Sequence, residues 1–324
     1  MANIALLNRC NLRCPYCFAD GYLNDDSTDI SIKAFTEILD FCAPDGEIGI
    51  IGGEPLLHKD FDTLMDIAAN DFRLGKITVF TNGIFIDKHI NALLNRKTTV
   101  LINVNSTKDI GKSNFEKIDK NIGVLLDAGH RGVSLGINVY ENGQDFSDFI
   151  YLIKKYGFKK IRLSVVIPKD KTIGGIKYFS KMKPTLFSLY KELLRLDVMP
   201  YYDCNAIPEC VYTKDELEIL NALPFTSQFE REIFTGARSV CSPVIDIYPD
   251  KTSTRCFGCF NMARANIEDF DSIADLRNYF FKEIDTRLVH RYHSEKCKDC
   301  YKHKVFGCFG GCLCYAEGKE ASDK

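Results

Sequence analysis

Cys10, Cys14 and Cys17 stand in the run Asn8-Arg-Cys-Asn-Leu-Arg-Cys-Pro-Tyr-Cys-Phe18, directly after the short apolar stretch that opens the chain. Their spacing is C-x3-C-x2-C. Three thiolates this close can hold three corners of a four-iron, four-sulfur cluster, because such clusters are ligated by cysteine. No fourth ligand stands nearby, so one iron would be left open to a small molecule. Zinc competes for such a site, but structural zinc closes its tetrahedron with four ligands. A disulfide with a spare thiol is rare in a cytosolic chain. A C-x-x-C redox pair wants a thioredoxin-like setting and has no use for Cys10.

A second set of residues bears on the first. Gly52-Gly53-Glu54-Pro55 combines a backbone able to approach a ligand closely with a carboxylate, a pairing suited to an ammonium group. Alone, a Gly dipeptide is more often an ordinary turn.

The elements that must carry these residues alternate. Candidate strands are Asn3–Asn8, Glu47–Ile51, Lys76–Phe80, Thr99–Asn105, Val133–Tyr140 and Lys160–Ile167. Candidate helices between them are Ser31–Phe41, Asp60–Asn70, Asp87–Leu94, Phe115–Ala128 and Asp145–Tyr156. In the fourth helix Phe115, Ile118, Ile122, Leu125 and Leu126 follow a 3.6-residue period. Strand and helix in alternation predict an α/β fold with a parallel sheet and right-handed crossovers. Six repeats are too few for a complete eight-fold barrel. Loops after the C-terminal ends of parallel strands carry chemistry. The cysteine run follows the first strand, Gly52–Pro55 the second and Thr81-Asn82-Gly83 the third, which predicts one shared face.

Residues 169–175 read as a turn-rich exit, followed by helices near Pro184–Leu196 and Lys214–Ala222. From Tyr201 onward cysteine is frequent and long periodic segments are few, apart from Ile273–Ile284. Chains that cannot build a good apolar core commonly use metal to hold their fold. The expected organisation is therefore 1–170, 171–203 as a helical connector, and a cysteine-rich module at 204–324.

Bulk properties exclude several classes. The 324 residues carry 42 basic and 44 acidic side chains, a net charge of −2, with no basic footprint for nucleic acid. No apolar stretch is long enough to span a membrane, and the N-terminus lacks the regions of a secretory signal. The expectation is a soluble, cytoplasmic protein. Fourteen cysteines in such a chain point to metal or cluster ligation rather than disulfides. Cys42, at the end of an apolar helix, reads as a buried structural thiol.

The cysteine run together with Gly52–Pro55 resembles the radical S-adenosylmethionine (SAM) superfamily. The resemblance implies a partial (β/α)6 barrel. It also implies SAM chelating the open iron of the cluster at Cys10, Cys14 and Cys17, and reductive cleavage to methionine and a 5′-deoxyadenosyl radical. Gly52, Gly53, Glu54 and Pro55 would bind the methionine amino group, and Tyr16 would lie near the adenine. Asn103, Asn105 and Ser106 at the end of the fourth strand, Thr81 and Asn82, Asn138 in the fifth strand, and Arg162 and Ser164 in the sixth are further candidates for SAM. Each could equally be a strand-end cap, a turn residue or an exterior salt bridge.

Near the C-terminus Cys297-Lys-Asp-Cys300 precedes Cys308, Cys312 and Cys314, a C-x2-C-x7-C-x3-C-x-C pattern, and Cys241 and Cys256 lie upstream. This resembles the SPASM module, an extension with two auxiliary iron–sulfur clusters. Carried over, Cys241, Cys256 and Cys312 belong to auxiliary cluster I, and Cys297, Cys300 and Cys308 to auxiliary cluster II. There are departures: seven residues rather than five separate Cys300 from Cys308, and an expected upstream glycine is missing. Cys314 is the candidate fourth ligand of cluster II. Cys204, Cys210 or Cys259 is the candidate for cluster I, unless that iron is open. Zinc remains the alternative, since four thiolates suit either metal site.

The resemblance implies an enzyme that abstracts hydrogen from an inert C–H bond. The expected substrate is a ribosomally made peptide or protein, modified by a thioether or carbon–carbon crosslink or by oxidation. An external electron donor such as flavodoxin or ferredoxin would be needed. The motif begins at residue 10 and leaves no room for a leader-binding domain, so a separate partner is expected to recognise the leader. The alternatives are a small-molecule radical SAM dehydrogenase and a non-catalytic iron–sulfur or zinc protein. A base for sulfatase-type oxidation would come from Asp203, Asp246 or Asp250, each expected in a turn or at the surface.

Overall fold

A computed structural model of the chain describes residues 1–17, 19–24, 29–167, 175–202, 204–241, 244–289 and 294–314. The protein folds as two compact units, each drawn from two stretches: residues 1–135 with 243–284, and residues 136–242 with 285–324.

The first unit is built on a sheet whose strands run β1 (Ala2–Ala5), β2 (Glu47–Ile51), β3 (Lys76–Thr81) and β4 (Thr98–Asn103), all parallel. Each strand is nearly continuously buried, as expected when both faces are covered. Helices α1 (Ile32–Cys42) and α2 (Phe61–Asn70), the single turn α3 (Ile90–Leu93), and α4 (Thr107–Ile110) with α5 (Lys112–Asp127) fill the connections. Ser31 caps α1, its hydroxyl accepting from the Ala34 amide at 3.1 Å, which is the preferred chemistry at that position. α1 buries Phe35, Ile38, Leu39 and Cys42 along one stripe. Cys42 is fully buried, as expected, and burial pushes its thiol up to about 12.

Residues that read as irregular in sequence complete this sheet. β8 (Ile245–Ile247) pairs in parallel with β1, and β9 (Thr252–Thr254) and β10 (Arg264–Asn266) follow by antiparallel pairing. Three-residue strands leave too short a pattern for periodicity to reveal. Helix α10 (Ile273–Phe280) follows, and a wider π-helical turn continues it to Asp285.

The second unit carries strands β6 (Lys160–Val165) and β7 (Met199–Tyr202), which pair in parallel, and β5 (Val133–Val139) from Gly136 onward, its first three residues falling in the first unit. Helices α6 (Ser147–Tyr156), α7 (Gly175–Arg195), α8 (Lys214–Asn221) and α9 (Gln228–Phe234) belong to the same unit. α7 corrects the expected start at Pro184: it is already helical from Gly175 and runs through the proline. It buries Tyr178, Phe179, Met182, Leu186, Leu189, Tyr190 and Leu193. That long apolar stripe outweighs the single hydrogen bond that proline cannot make. The α/β architecture with a parallel sheet stands as expected, with the element ends shifted by a few residues. No helix among the described residues is long and apolar enough to cross a membrane.

Candidate metal centres

The N-terminal cysteine loop is held by an extension of the β1–β2 ladder. Leu6 N donates to Ile51 O at 2.9 Å, Gly53 N to Leu7 O at 3.0 Å and Glu54 N to Arg9 O at 3.0 Å. The two glycines are required by this approach. A β-carbon on Gly52 would lie 2.7 Å from the carbonyl oxygen of Leu7, and one on Gly53 would lie 2.1 Å from that of Arg9. Both glycines thus serve the chain's own backbone, carrying the second loop against the first.

The Glu54 carboxylate, expected to meet an ammonium, is instead fully enclosed. It caps the turn Pro55–Leu57 by accepting from Leu56 N at 3.2 Å. It also accepts from the Thr81 hydroxyl at 2.6 Å and from Asn82 N at 2.7 Å. Burial raises its carboxyl from 4.5 to about 7, against the pull of those three donors. Asn82 continues the chain of contacts by donating to Asn11 Oδ1, within the cysteine loop, at 2.9 Å. Gly83 turns the chain with φ +83°, and Asn121 holds the turn by donating to the carbonyls of Gly83 and Ile84.

On the β4 side, Asn105 is buried and its side-chain oxygen accepts from the Tyr16 hydroxyl and from the Cys14 thiol, the latter at 3.5 Å. Asn103 ends β4, and its carbonyl accepts weakly from Asn105. Ser106 bonds Asp109 at 3.0 Å, a local contact at the start of α4. The structure thus brings Cys10, Cys14, Cys17, Tyr16, Gly52, Gly53, Glu54, Pro55, Thr81, Asn82 and Asn105 into one bonded neighbourhood.

The donor set fits a multi-iron cluster. Burial pushes the Cys10 thiol up to about 11 and Cys14 to about 12, with the neighbouring thiols adding to the shift. Bound as thiolates, they would need the positive charge of a metal. Tetrahedral Zn–S bonds of about 2.3 Å put ligating sulfurs about 4 Å apart. Among the described residues these three do not form a group whose sulfurs all lie within 4.8 Å. A cluster that places each thiolate on a different iron suits this wider spacing.

Cys17 has further support that sequence reading missed. It packs on a cluster of Ala5, Ala19, Ile51, Tyr248 and Phe257, with Tyr22, Phe80 and Phe260 alongside. The Tyr22 ring leans against Tyr248 with centroids 4.7 Å apart and planes tilted by 39°, and Arg264 lies 4.6 Å from the Phe260 ring. Tyr248, Phe257 and Phe260 therefore buttress the first cysteine loop, and the signal lay in the aromatics flanking Cys256 and Cys259. Those two sulfurs lie within 4.8 Å of each other. Asp246 corrects its expectation: it is buried on β8, accepting from Asn3 Nδ2 and Phe257 N at 2.7 Å each. Asp250 sits in the expected turn, accepting from Thr252. Asp203 lies outside the described residues.

In the second unit, Arg162 is buried and donates to Asn138 Oδ1 at 3.0 Å, so the exterior salt bridge is not its role. Ser164 is buried on β6. Four thiols gather elsewhere in this unit. Cys210 is exposed at the surface, yet partial desolvation and then the charges of Cys308, Cys297 and Cys300 push its thiol up to about 11. Cys308 is raised by burial and by Cys297 and Cys300. Cys312 and Cys314 are buried, and Cys312 N donates to Asn205 at 3.3 Å. Cys204 is exposed and Cys241 half-buried.

Residues 4–154 match the Radical SAM superfamily. A GTP 3′,8-cyclase of Shewanella denitrificans is 27% identical over 163 residues, 47% of this chain and 48% of that protein. The chain spans about half the length of the curated relatives it matches. Streptococcus suis SuiB bound to S-adenosylmethionine superposes over 100% of this chain and 74% of its own, with TM-score 0.64 and 17% identity. SuiB has a similar likeness when bound to precursor peptide SuiA. The protein anSMEcpe with bound AdoMet covers 98% of this chain and 91% of its own, with TM-score 0.66 and 18% identity. At these identities the structures share the fold.

Proposed function

We propose that this radical SAM enzyme cleaves S-adenosylmethionine at a cluster held by Cys10, Cys14 and Cys17 and modifies a peptide or protein substrate. One observation carries the reading: three thiols on one loop, fixed from behind by Gly52 and Gly53 and from the side by Glu54, Asn82 and Asn105. When bound, the cluster supplies the electron that splits SAM. Cys10, Cys14 and Cys17 leave one iron open for it. Backbone groups of Gly52–Pro55 would meet the methionine amino group, while the Glu54 side chain, bound to Thr81 and Asn82, sets the path of that backbone. Tyr16, whose hydroxyl Asn105 orients, would lie beside the adenine. Asn103 and Ser106, which follow at the end of β4, would offer further polar groups to the ribose or carboxylate.

The peptide reading is supported by the fold match over nearly the whole chain to SuiB and anSMEcpe, SuiB being a protein solved with a precursor peptide. It is also supported by the cysteines beyond residue 200, which we read as ligands of SPASM-type auxiliary clusters. A flavodoxin or ferredoxin would deliver the electron, and a separate protein would present a leader. A second reading, a small nucleotide substrate, is favoured by the curated sequence relatives. The test is anaerobic: reduced, reconstituted protein with SAM should form 5′-deoxyadenosine, measured by mass spectrometry. Absence of that product with intact clusters would sink the enzymatic reading. A rise with a candidate peptide but not with GTP supports the first substrate class, and the reverse supports the second.

A further inference from the structure

We propose that Cys210 is the fourth protein ligand of the cluster read at Cys297, Cys300 and Cys308, and that this cluster is closed. The inference rests on the reading of those three cysteines as cluster ligands.

Sequence order hides this assignment. Cys297 lies in a single helical turn, Glu295–Lys298, and Cys300 opens the next, Tyr301–Lys304. Cys300 N donates to Cys297 O at 3.2 Å, which folds the C-x2-C pair back on itself. Cys308 is brought round by its own amide, which donates to Lys302 O at 3.2 Å, and by His303 Nδ1 against its carbonyl at 3.0 Å. Gly310 N donates to Cys308 Sγ at 3.3 Å. Amide bonds to a ligating sulfur of this kind tune clusters.

Cys210 reaches the same place from another direction. It is the middle residue of the turn Glu209–Val211. Glu209 forms an ion pair with Lys302, between Cys300 and Cys308. Glu209 N donates to Gly236 O at 3.2 Å, and Lys183 Nζ donates to Val211 O at 3.2 Å. Gly236 is needed there, since a β-carbon would lie 2.1 Å from the carbonyl of Ile207. Ser239, three residues on, bridges to Cys308, and Phe309 N donates to Ser239 O at 2.7 Å. The Glu209 side of Cys210 is thus tied to the stretch that carries the trio, directly through Lys302 and again through Gly236 and Ser239, and the charges of Cys308, Cys297 and Cys300 add to the upward shift of its thiol.

The metal class follows from spacing. Among the described residues these four sulfurs contain no group of three all within 4.8 Å of one another. One zinc ion would need sulfurs about 4 Å apart. A four-iron, four-sulfur cluster gives each thiolate its own iron. With four thiolates no iron is left for substrate. Such a cluster can exchange an electron but cannot bind the molecule being modified.

The test uses the full chain with Cys10, Cys14 and Cys17 changed to Ala, reconstituted anaerobically, so that iron reports the remaining sites. Cys210→Ala, Cys308→Ala and the double variant are compared by iron and sulfide content and by electron paramagnetic resonance after mild oxidation. Each single variant should lose about four irons or show a three-iron signal. The double variant should lose no more than Cys308→Ala alone. Added 2-mercaptoethanol should restore the four-iron spectrum in Cys210→Ala, which a merely misfolded variant would not allow. Unchanged iron and spectrum in Cys210→Ala overturns the assignment, as does a double variant that loses twice the iron of either single one. Zinc in place of iron, or no loss in Cys308→Ala, instead overturns the reading of the trio itself.

Discussion

The two groups of thiols are assembled by opposite means. Cys10, Cys14 and Cys17 lie on one loop, and the fold's task is to hold that loop rigid, through the backbone ladder at Gly52–Gly53 and the side chains of Glu54, Asn82 and Asn105. Cys210, Cys297, Cys300 and Cys308 come from stretches far apart, joined where Glu209 meets Lys302 across 93 residues. A local site is specified by its spacing, and its failures should be failures of support. A non-local site is specified by tertiary packing, and its failures should be failures of assembly. The first site, proposed to be short of one ligand, would take a small molecule on its open iron. The second, as proposed, cannot.

The largest break in this comparison should come from removing one thiol at each place. Cys14→Ala should abolish 5′-deoxyadenosine formation. Cys297→Ala should keep SAM cleavage yet lose conversion of the true substrate, because the closed cluster proposed there would only move electrons. If Cys297→Ala also removed all cleavage while the first cluster stayed loaded, the division of labour would be wrong. Next in size is Gly53→Ala. A β-carbon 2.1 Å from the Arg9 carbonyl must push backbone against backbone. A cost of about 3 kcal/mol is expected from overpacking of this kind. Thermal unfolding should register it, together with loss of iron from the first site only.

Glu54→Gln tests the support more finely. The carboxylate accepts three hydrogen bonds, and an amide in its place turns one acceptor into a donor facing donors. A loss of about 1–3 kcal/mol follows for a buried group left unsatisfied. Its pH dependence is distinctive. Burial lifts the folded-state carboxyl to about 7 from 4.5. The folded state therefore holds its proton longer than the unfolded chain does. The stability this contributes is fully present below about 4.5 and is lost as pH rises through about 7. Unfolding of the metal-free protein, compared with Glu54→Gln from about pH 4 to 8, should show the wild type losing more stability as pH rises. Parallel curves would mean that folding leaves the Glu54 carboxyl at its ordinary value of 4.5.

Much of this was legible in sequence because the information was local. Six strands and the helices between them follow from apolar runs, and the C-x3-C-x2-C spacing exposes the first site without any fold. Gly52-Gly53-Glu54 was also visible, but as a ligand-binding segment. That its glycines and its carboxylate face the protein's own backbone and loops depends on the register of β1 against β2, which no motif states. Pro184 masked the first half of α7, whose apolar stripe outweighs the proline. β8 to β10 are three residues each, too short for a period, and only their pairing to β1 and to one another makes them strands. Cys210 was visible as a cysteine, but its partners were not. The ion pair, the glycine at 236 and the bridge at Ser239 that bring it to Cys308 are separated from it in ways that spacing cannot encode.

The smallest expected effect discriminates best between local and non-local assembly. Lys302 and Glu209 are both more than one-third exposed along their side chains. An ion pair of that kind contributes about 0–1 kcal/mol. Lys302→Met should therefore leave the unfolding temperature nearly unchanged, since its aliphatic stem is kept. It removes one tie that holds the Cys210 turn to the helix between Cys300 and Cys308. Its effect should appear in the rate at which a chelator strips iron from the second site, faster than in the wild type, while the first site is stripped at the wild-type rate. The matching change at the first site, Asn82→Ala, removes a part-buried contact to Asn11 and should cost about 1 kcal/mol of stability. If Lys302→Met left iron retention at the second site untouched, the remaining contacts through Gly236 and Ser239 would be sufficient to hold Cys210, and the ion pair would be a bystander to assembly.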